Sequence, residues 1–533
     1  MDLRNSNIVR LENETFDVLI VGGGINGAVT AAALTARGVN VALIDAGDFA
    51  GFTSQHSSNL VWGGIKYMEG YEFGLVAGLC KSRNELLDSF PSTVKEIRFL
   101  MTVNKRFRFH PWIILASTWL YWLLGRGKTH TPKLVSPDRL KQIEPLINTA
   151  ISSAGIEYSD AFLHDNDARF VFNFVRSALD NGCAAANYVK SNGATRDAKG
   201  HWITQAQDQI SGNSFEIRSR ILINAAGAYV DNHNALTGIE TEYQHVLSKG
   251  IHLIVPQISE NHRVLAFFAD DERLFFAIPM ANRTCIGTTD TKVDDPVTAV
   301  TDEDRDFVLS NINARLDLPA PLVPGDVIAE RCGVRPLATR KQRDNSVDVQ
   351  QLSRKHVIEV SEQQNHISIF GGKLTDCLNV GDEICACVAQ FGLKLKQVAK
   401  WYGEPDDRAR KAFFERACKL GLDEIIASDT GEVLSIRLWR RYAAQAEGML
   451  DAIERDPSLA EPLIDNAGIR RCEIDYLARN EMIVKLEDYL RRRSKIELLV
   501  SRATLRQSAG LLEACEKLFG SEGKARFDEY FSE

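Results

Sequence analysis

Gly22, Gly24 and Gly27 stand in the spacing Gly-x-Gly-x-x-Gly, after the apolar run 16–21 (FDVLIV) and before the small-residue, helix-favouring run 28–37. Glycine backbone at that junction lets a pyrophosphate approach the N-terminus of the helix, where unpaired N–H groups and the helix dipole favour an anion. Ile25 and Asn26 fill the variable places before the last glycine. Gly38 stops the helix, and 39–44 reads as a second strand ending on Asp45, 23 residues after Gly22. A carboxylate there is placed to bond a ribose hydroxyl. The chemistry implied is dinucleotide binding on a βαβ unit.

That pattern does not separate one dinucleotide from another. A second segment, Asn224-Ala225-Ala226-Gly227-Ala228-Tyr229, follows the strand-like SRILI and looks like the second motif of flavin domains, which passes close to the dinucleotide. It favours FAD over a nicotinamide cofactor. No attachment residue of the kind that fixes flavin covalently is present, so the FAD is expected to be non-covalent.

Elements further along must position whatever the cofactor acts on. Between 250 and 290 the short alternating runs IHLIVP, RVLAFFA, RLFFAIP and TCIGTT, separated by turn-like Asp270-Asp271-Glu272 and Met280-Ala281-Asn282-Arg283, predict an antiparallel sheet. From about residue 405 glycines thin out and helix formers with charged faces dominate, predicting a separate helical domain whose boundary falls within 395–410. No internal repeat or low-complexity tract interrupts the chain.

Composition narrows the function. Residue number 533 closes a chain that is 44% hydrophobic and 25% charged, ordinary for a globular protein of two or three domains. A net charge of −8 with no long basic tract argues against nucleic acid as a general partner and for small-molecule chemistry. Ten cysteines are scattered from Cys80 to Cys515 without paired metal-ligand clusters, so they read as buried thiols in a reducing cytoplasm and no metal is expected. The polar segment 1–17 lacks the apolar core of a secretory signal, which predicts that the protein stays where it is made.

The stretch 111–124 (PWIILASTWLYWLL) holds three of the seven tryptophans but only 14 residues, against roughly 20 for a membrane-crossing helix. Two readings stand: a core helix or wall of the substrate domain, and an interfacial membrane contact flanked by Lys105, Arg106, Arg108, Arg126, Lys128 and Lys133.

The remaining motifs carry a family resemblance. Thr53-Ser54 and then Ser57-Ser58-Asn59-Leu60-Val61-Trp62-Gly63-Gly64-Ile65-Lys66-Tyr67 form a serine-rich loop followed by a glycine pair. Glu157-Tyr158-Ser159-Asp160, Lys249-Gly250-Ile251-His252, Gly287-Thr288-Thr289-Asp290, Gly333-Val334-Arg335-Pro336 and Gly371-Gly372-Lys373-Leu374-Thr375 follow in order. With Asn466-Ala467-Gly468 and Leu490-Arg491-Arg492-Arg493-Ser494 in the tail, the chain resembles the FAD-dependent glycerol-3-phosphate dehydrogenase family, of the aerobic, quinone-linked type, over nearly its whole length.

The resemblance implies an α/β fold, α+β overall. An FAD-binding Rossmann-like domain (about 14–80, 155–245 and 335–395) interleaves with an antiparallel-sheet substrate domain (about 81–154 and 246–334). Together they make an oxidoreductase region 1–395, followed by an all-helical C-terminal domain 405–533. It assigns Ser54, Ser58, Asn59, Leu60, Gly63, Gly64, Ala226, Gly227, Gly372, Lys373, Leu374 and Thr375 to the cofactor, beside the fingerprint residues. Arg335 becomes a substrate-binding cation at the reacting end, Lys373 and Thr375 contacts at flavin and substrate, and Arg354 a phosphate ligand or a solvated charge. His252 is the candidate proton acceptor, with a structural histidine as the alternative; Tyr67 either bonds substrate or packs.

Departures at three loop positions and in one further segment bear on the substrate. Asn59, Trp62 and Lys66 stand where the family commonly has lysine, histidine and arginine, and Asp376-Cys377-Leu378 replaces a threonine-tyrosine-arginine. Lys66 keeps a charge without the bidentate fork, and Trp62 neither titrates nor accepts a proton. The expected activity is oxidation of glycerol 3-phosphate by hydride transfer to flavin, with electrons passing to quinone. The alternatives are a flavin-dependent dehydrogenase or oxidase of another polyol, polyol phosphate or hydroxy acid, and a weakly catalytic flavoprotein acting as a redox-sensitive partner. The expected location is cytoplasmic, on the inner face of the membrane; a homodimer is left open.

Overall fold

The computed structural model describes residues 3–105, 107–269, 273–341, 355–425, 432–465 and 467–532. The strand Thr15–Val21 lies at the centre of one sheet, parallel to Ser214–Asn224 on one side and to Val41–Ile44 on the other. Ala184–Ala186 and His366–Phe370 extend the parallel part, and Val357–Ser361 closes one edge antiparallel. Strands covered on both faces carry continuous apolar runs, which is why VLI, VALI and HISIF do not alternate. Val21 pairs with both Ile44 and Asn224, so three strands end together and deliver Gly22, Asp45 and Ala225 to one rim. The helix Ile25–Ala36 packs between Asp167–Asp180 and Cys377–Gln390, and fully buried Ala28, Ala31, Ala32 and Ala33 permit the close approach. An N-terminal helix, Leu3–Asn13, lies against the short strand: Asn7 Nδ2 donates to the Ala185 carbonyl at 2.9 Å.

The second sheet contains the predicted run Tyr243–Pro256, Arg263–Phe268, Leu274–Met280 and Arg283–Gly287, joined antiparallel. It is mixed as a whole, because Arg263–Phe268 pairs parallel with Val94–Asn104, which enters from a distant part of the chain and not through a hairpin. Ser152–Leu163 continues beyond that strand, and Ala329–Arg340 pairs with Tyr243–Pro256 along almost its full length. The predicted turn at 270–272 and residues Arg106, Arg354 and Asn466 lie outside the described residues.

The stretch 111–124 is one helix, Pro111–Leu124, capped by His110. It is not a core helix: only Thr118 and Tyr121 are buried, while Trp112 and Leu123 are each 61% exposed. Among the described residues no helix is long and apolar enough to cross a membrane.

Helices from Asp407–Lys419 to Gly523–Ser532 form the C-terminal region. It is tied to the preceding part of the chain by buried ion pairs: Arg492 and Arg493 reach Asp48 at 2.7 and 2.8 Å, Arg441 reaches Asp165 at 2.7 Å, and Arg169 pairs with Glu481. Removing one member of such a pair strands its partner in an apolar interior and costs about 3–5 kcal/mol.

Candidate functional site

The rim of the first sheet is built by backbone. Gly22 has φ +106°, and a Cβ on it would sit 2.4 Å from the Ala225 carbonyl oxygen; a Cβ on Gly27 would sit 1.8 Å from the Gly22 oxygen. Only glycine satisfies both contacts. Asp45 accepts from Gly23 N at 2.6 Å and Gly47 N at 2.8 Å, holding the two loops that flank it. Burial pushes its carboxyl up to about 7 although both hydrogen bonds pull the other way. Ile25 N donates to Ser54 Oγ at 3.0 Å, and Asn26 Nδ2 to the Gly371 carbonyl at 2.9 Å, while Asn26 Oδ1 is buried without a partner among the described residues. Ala226 N bonds Asn224 Oδ1 at 3.2 Å, and Gly227 (φ +57°) turns the chain into the next helix.

From this rim a cavity of about 280 Å³ runs toward the second sheet. Ile25, Ser54, Ser58 and Leu60 line one side, and Gly372, Lys373, Leu374 and Thr375 another. The far side comes from cross-strand register: His252 faces Arg331, Gly250 faces Gly333, and Ser248 faces Arg335. Residues two apart share a face, so the two glycines open a notch in a row of basic side chains. A Cβ on Gly250 would meet the Arg335 guanidinium at 2.2 Å, and one on Gly333 would meet the His56 Cβ at 2.5 Å.

Arg335 is held by Thr288 Oγ1 at 3.0 Å and the Thr289 carbonyl at 3.3 Å. His252 is 2% exposed and both ring nitrogens are without a partner among the described residues. Burial holds its pKa well below 6.5, with Arg331 and Arg335 pushing the same way, so the ring is neutral. Lys373 Nζ donates to Tyr67 Oη at 2.6 Å and sits 4.0 Å from the Tyr67 ring centroid. Trp62 packs between Tyr67 and Phe276, at 6.2 and 6.3 Å between ring centroids, and Thr375 Oγ1 donates to its carbonyl at 3.4 Å.

Other expected residues take different places. Lys66 lines a neighbouring mouth with Glu69, Glu72 and Arg273, on the outer side of the Trp62–Tyr67 wall, where Arg335 also emerges. Asn59 (φ +59°) ties the loop together, donating to the Asp165 carbonyl at 2.9 Å and accepting from Arg331 at 2.8 Å. Gly63 is pinned from behind: its N–H points at Asp160, and a Cβ would meet Tyr121 Oη at 2.2 Å. Gly64 (φ +81°) leaves room for the Tyr67 ring. Asp376 bonds Ser82 Oγ at 2.8 Å and lies 3.1 Å from His356 Nδ1, anchoring the end of the 371–375 loop.

Sequence reading did not single out His56, Phe276 or Arg331. The period-two spacing of Arg331, Gly333 and Arg335 was the available signal. No local pattern marks His56, which the fold brings over Gly333.

The glycine rim, the Asn26 oxygen that has no partner among the described residues and the cavity beyond would hold a dinucleotide. The fold and this site define a flavin-dependent oxidoreductase, and the model of FAD-dependent oxidoreductases matches residues 17–371. A second model, the C-terminal domain of alpha-glycerophosphate oxidase, matches 410–525. The glycerol-3-phosphate dehydrogenase of Pseudomonas aeruginosa is 32% identical over 502 residues, covering 92% of this chain and 93% of that protein. The aerobic glycerol-3-phosphate dehydrogenase of Staphylococcus haemolyticus is 30% identical over 503 residues, 91% of this chain and 87% of that one. The crystal structure of a Bacillus halodurans glycerol-3-phosphate dehydrogenase with FAD superposes with a TM-score of 0.73 at 23% identity, over 100% of this chain and 97% of the other. The chain therefore belongs to the FAD-dependent oxidoreductases, in the family of the glycerol-3-phosphate dehydrogenases. It is an oxidoreductase, and its cofactor is FAD.

Proposed function

We propose that the protein oxidises sn-glycerol 3-phosphate to dihydroxyacetone phosphate and passes the electrons to a quinone. The observation that carries this reading is a neutral, buried His252, without a partner among the described residues, on the same sheet face as the guanidinium of Arg335, in a cavity lined by the expected cofactor segments. Bound FAD supplies the acceptor for the hydride that leaves the substrate carbon. His252 takes the hydroxyl proton on a ring nitrogen, so the alcohol loses two electrons and two hydrogens and becomes a ketone. Arg335, held by Thr288 and Thr289, supplies a cation at the reacting end, and Lys66 adds a point charge at the mouth. Lys373, steadied by Tyr67, brings a positive charge to the cofactor side. Ser54 and Thr375 orient the two loops, and the Trp62–Phe276 wall excludes water. Arg354, outside the described residues, is assigned to the phosphate by family resemblance.

Anaerobic addition of glycerol 3-phosphate is expected to bleach the oxidised-flavin band, and glycerol alone is expected to leave it. A second reading, another polyol or hydroxy acid as substrate, is favoured by the bulk of Trp62 and by Lys66 lying outside its wall. Bleaching by a hydroxy acid and not by glycerol 3-phosphate would decide for it. The redox-sensitive-partner reading requires that no member of a broad panel bleaches the flavin.

The exposed Trp112, Ile113, Trp119, Leu120 and Leu123 on the helix Pro111–Leu124 support contact with the inner face of the cytoplasmic membrane. Cosedimentation with anionic vesicles is expected for the native protein and is expected to fall in Trp112→Glu/Leu123→Glu; equal recovery of both in the supernatant would remove the proposal.

A further inference from the structure

Three segments that belong to the cofactor site are far apart in sequence, and the backbone of one residue, Gly371, joins them. The Gly371 carbonyl accepts from Asn26 Nδ2, in the first turn after the glycine fingerprint, at 2.9 Å. The Gly371 N–H donates to His245 Nε2 at 3.0 Å. The His245 side chain is 1% exposed, and its Nδ1 lies 3.3 Å from Asp231 Oδ2, an ion-pair distance without the alignment of a full hydrogen bond. Asp231 stands just beyond the 224–229 segment and also accepts the backbone N–H of His245 at 3.0 Å, which fixes the two residues to each other.

We propose that His245 is a positioning residue for the cofactor loop 371–375, acting as a neutral acceptor that, opposite Asn26, clamps the backbone on either side of the Gly371 Cα between the fingerprint and the second flavin segment. An imidazole accepts through one nitrogen only when its proton is on the other. Acceptance from Gly371 therefore places the proton on Nδ1, facing the Asp231 carboxylate, and Asp231 selects that tautomer. The clamp is needed because Gly371 and Gly372 have φ +63° and +110°, outside any repeating structure that would satisfy their backbone groups locally. It acts at a distance from substrate: His245 is absent from the cavity lining, whereas Gly371, Gly372 and Lys373, which it steadies, are part of it. The inference depends on FAD binding and not on which alcohol is oxidised.

The test is a pair of substitutions that differ in reach. In His245→Gln the side-chain amide oxygen reaches the place of Nε2 and still accepts from Gly371; in His245→Asn it stops near the place of Nδ1. A buried N–H left without an acceptor costs enough to weaken FAD binding about tenfold. H245N is therefore expected to release FAD about tenfold more readily on dilution, followed by flavin fluorescence, and to shift the flavin midpoint potential, while H245Q keeps both near native. FAD retention by H245N within twofold of native, or equal loss in the two variants, overturns the proposal. If H245N does not fold, H245Q decides alone: native affinity and potential support the clamp, and a tenfold loss removes it.

Discussion

The two ends of the cavity are made by different means. At the rim of the first sheet the contacts are backbone, shaped by residues that have no side chain to spare: Gly22 against Ala225, Gly27 against Gly22. At the second sheet they are long or titratable side chains, His252 and Arg335, projecting from two paired strands into space opened by Gly250 and Gly333, with Lys373 entering from the loop after the first-sheet strand His366–Phe370. The rim tolerates no change because its geometry is steric. The far end is bounded by the Trp62–Tyr67 wall, with Lys66 in the mouth outside it. We therefore expect cofactor binding to follow the backbone rim and substrate preference to follow the side chains of the far end.

The contrast predicts a graded series. Gly27→Val is expected to abolish bound flavin, seen as a colourless purified protein, because even its Cβ would fall 1.8 Å from the Gly22 oxygen; a yellow G27V protein would break the comparison at its strict end. Arg335→Met should leave FAD bound and lower kcat/KM for a polyol phosphate by about a hundredfold, the scale of charged hydrogen bonds lost in a partly dry site. Equal loss of flavin and of turnover would merge the two ends.

A pH profile sharpens the far end. A base must be unprotonated to work, and burial holds the His252 pKa well below 6.5. The acid limb of kcat/KM is therefore expected below pH 6.5, and it should disappear from the profile of His252→Gln; a limb at or above 6.5 that survives the substitution would assign the proton to another group. The smallest effect is expected from Lys66→Ala. With Lys66 in the outer mouth, screened by solvent and close to Glu69 and Glu72, KM should rise only about two- to fivefold with kcat unchanged, as for an exposed charge pair.

The legible parts of the molecule follow from the same contrast. The βαβ unit, the glycine spacing and the charged helical tail are local patterns, and each folds where the sequence places it. The helix Pro111–Leu124 was legible in its limits but not in its surroundings: apolarity fits a core helix and a surface contact equally, and only packing leaves Trp112 and Leu123 in the open. Family resemblance put Asn59 and Gly63 at the cofactor; in the structure Asn59 binds Asp165 and Arg331 and Gly63 is pinned by Asp160. A loop that lines a site must itself be held, and which of its residues do the holding depends on what stands behind it.

By itself the sequence determined the dinucleotide rim, because a glycine that must have no Cβ is a constraint visible one residue at a time. The tertiary structure decided that Ser248, Gly250 and His252 meet Arg335, Gly333 and Arg331 strand to strand, that His56 covers the notch, and that His245 reaches Gly371. Those pairings join segments separated by some tens to hundreds of residues. Their register is set by the packing of whole sheets, and no short spacing encodes it.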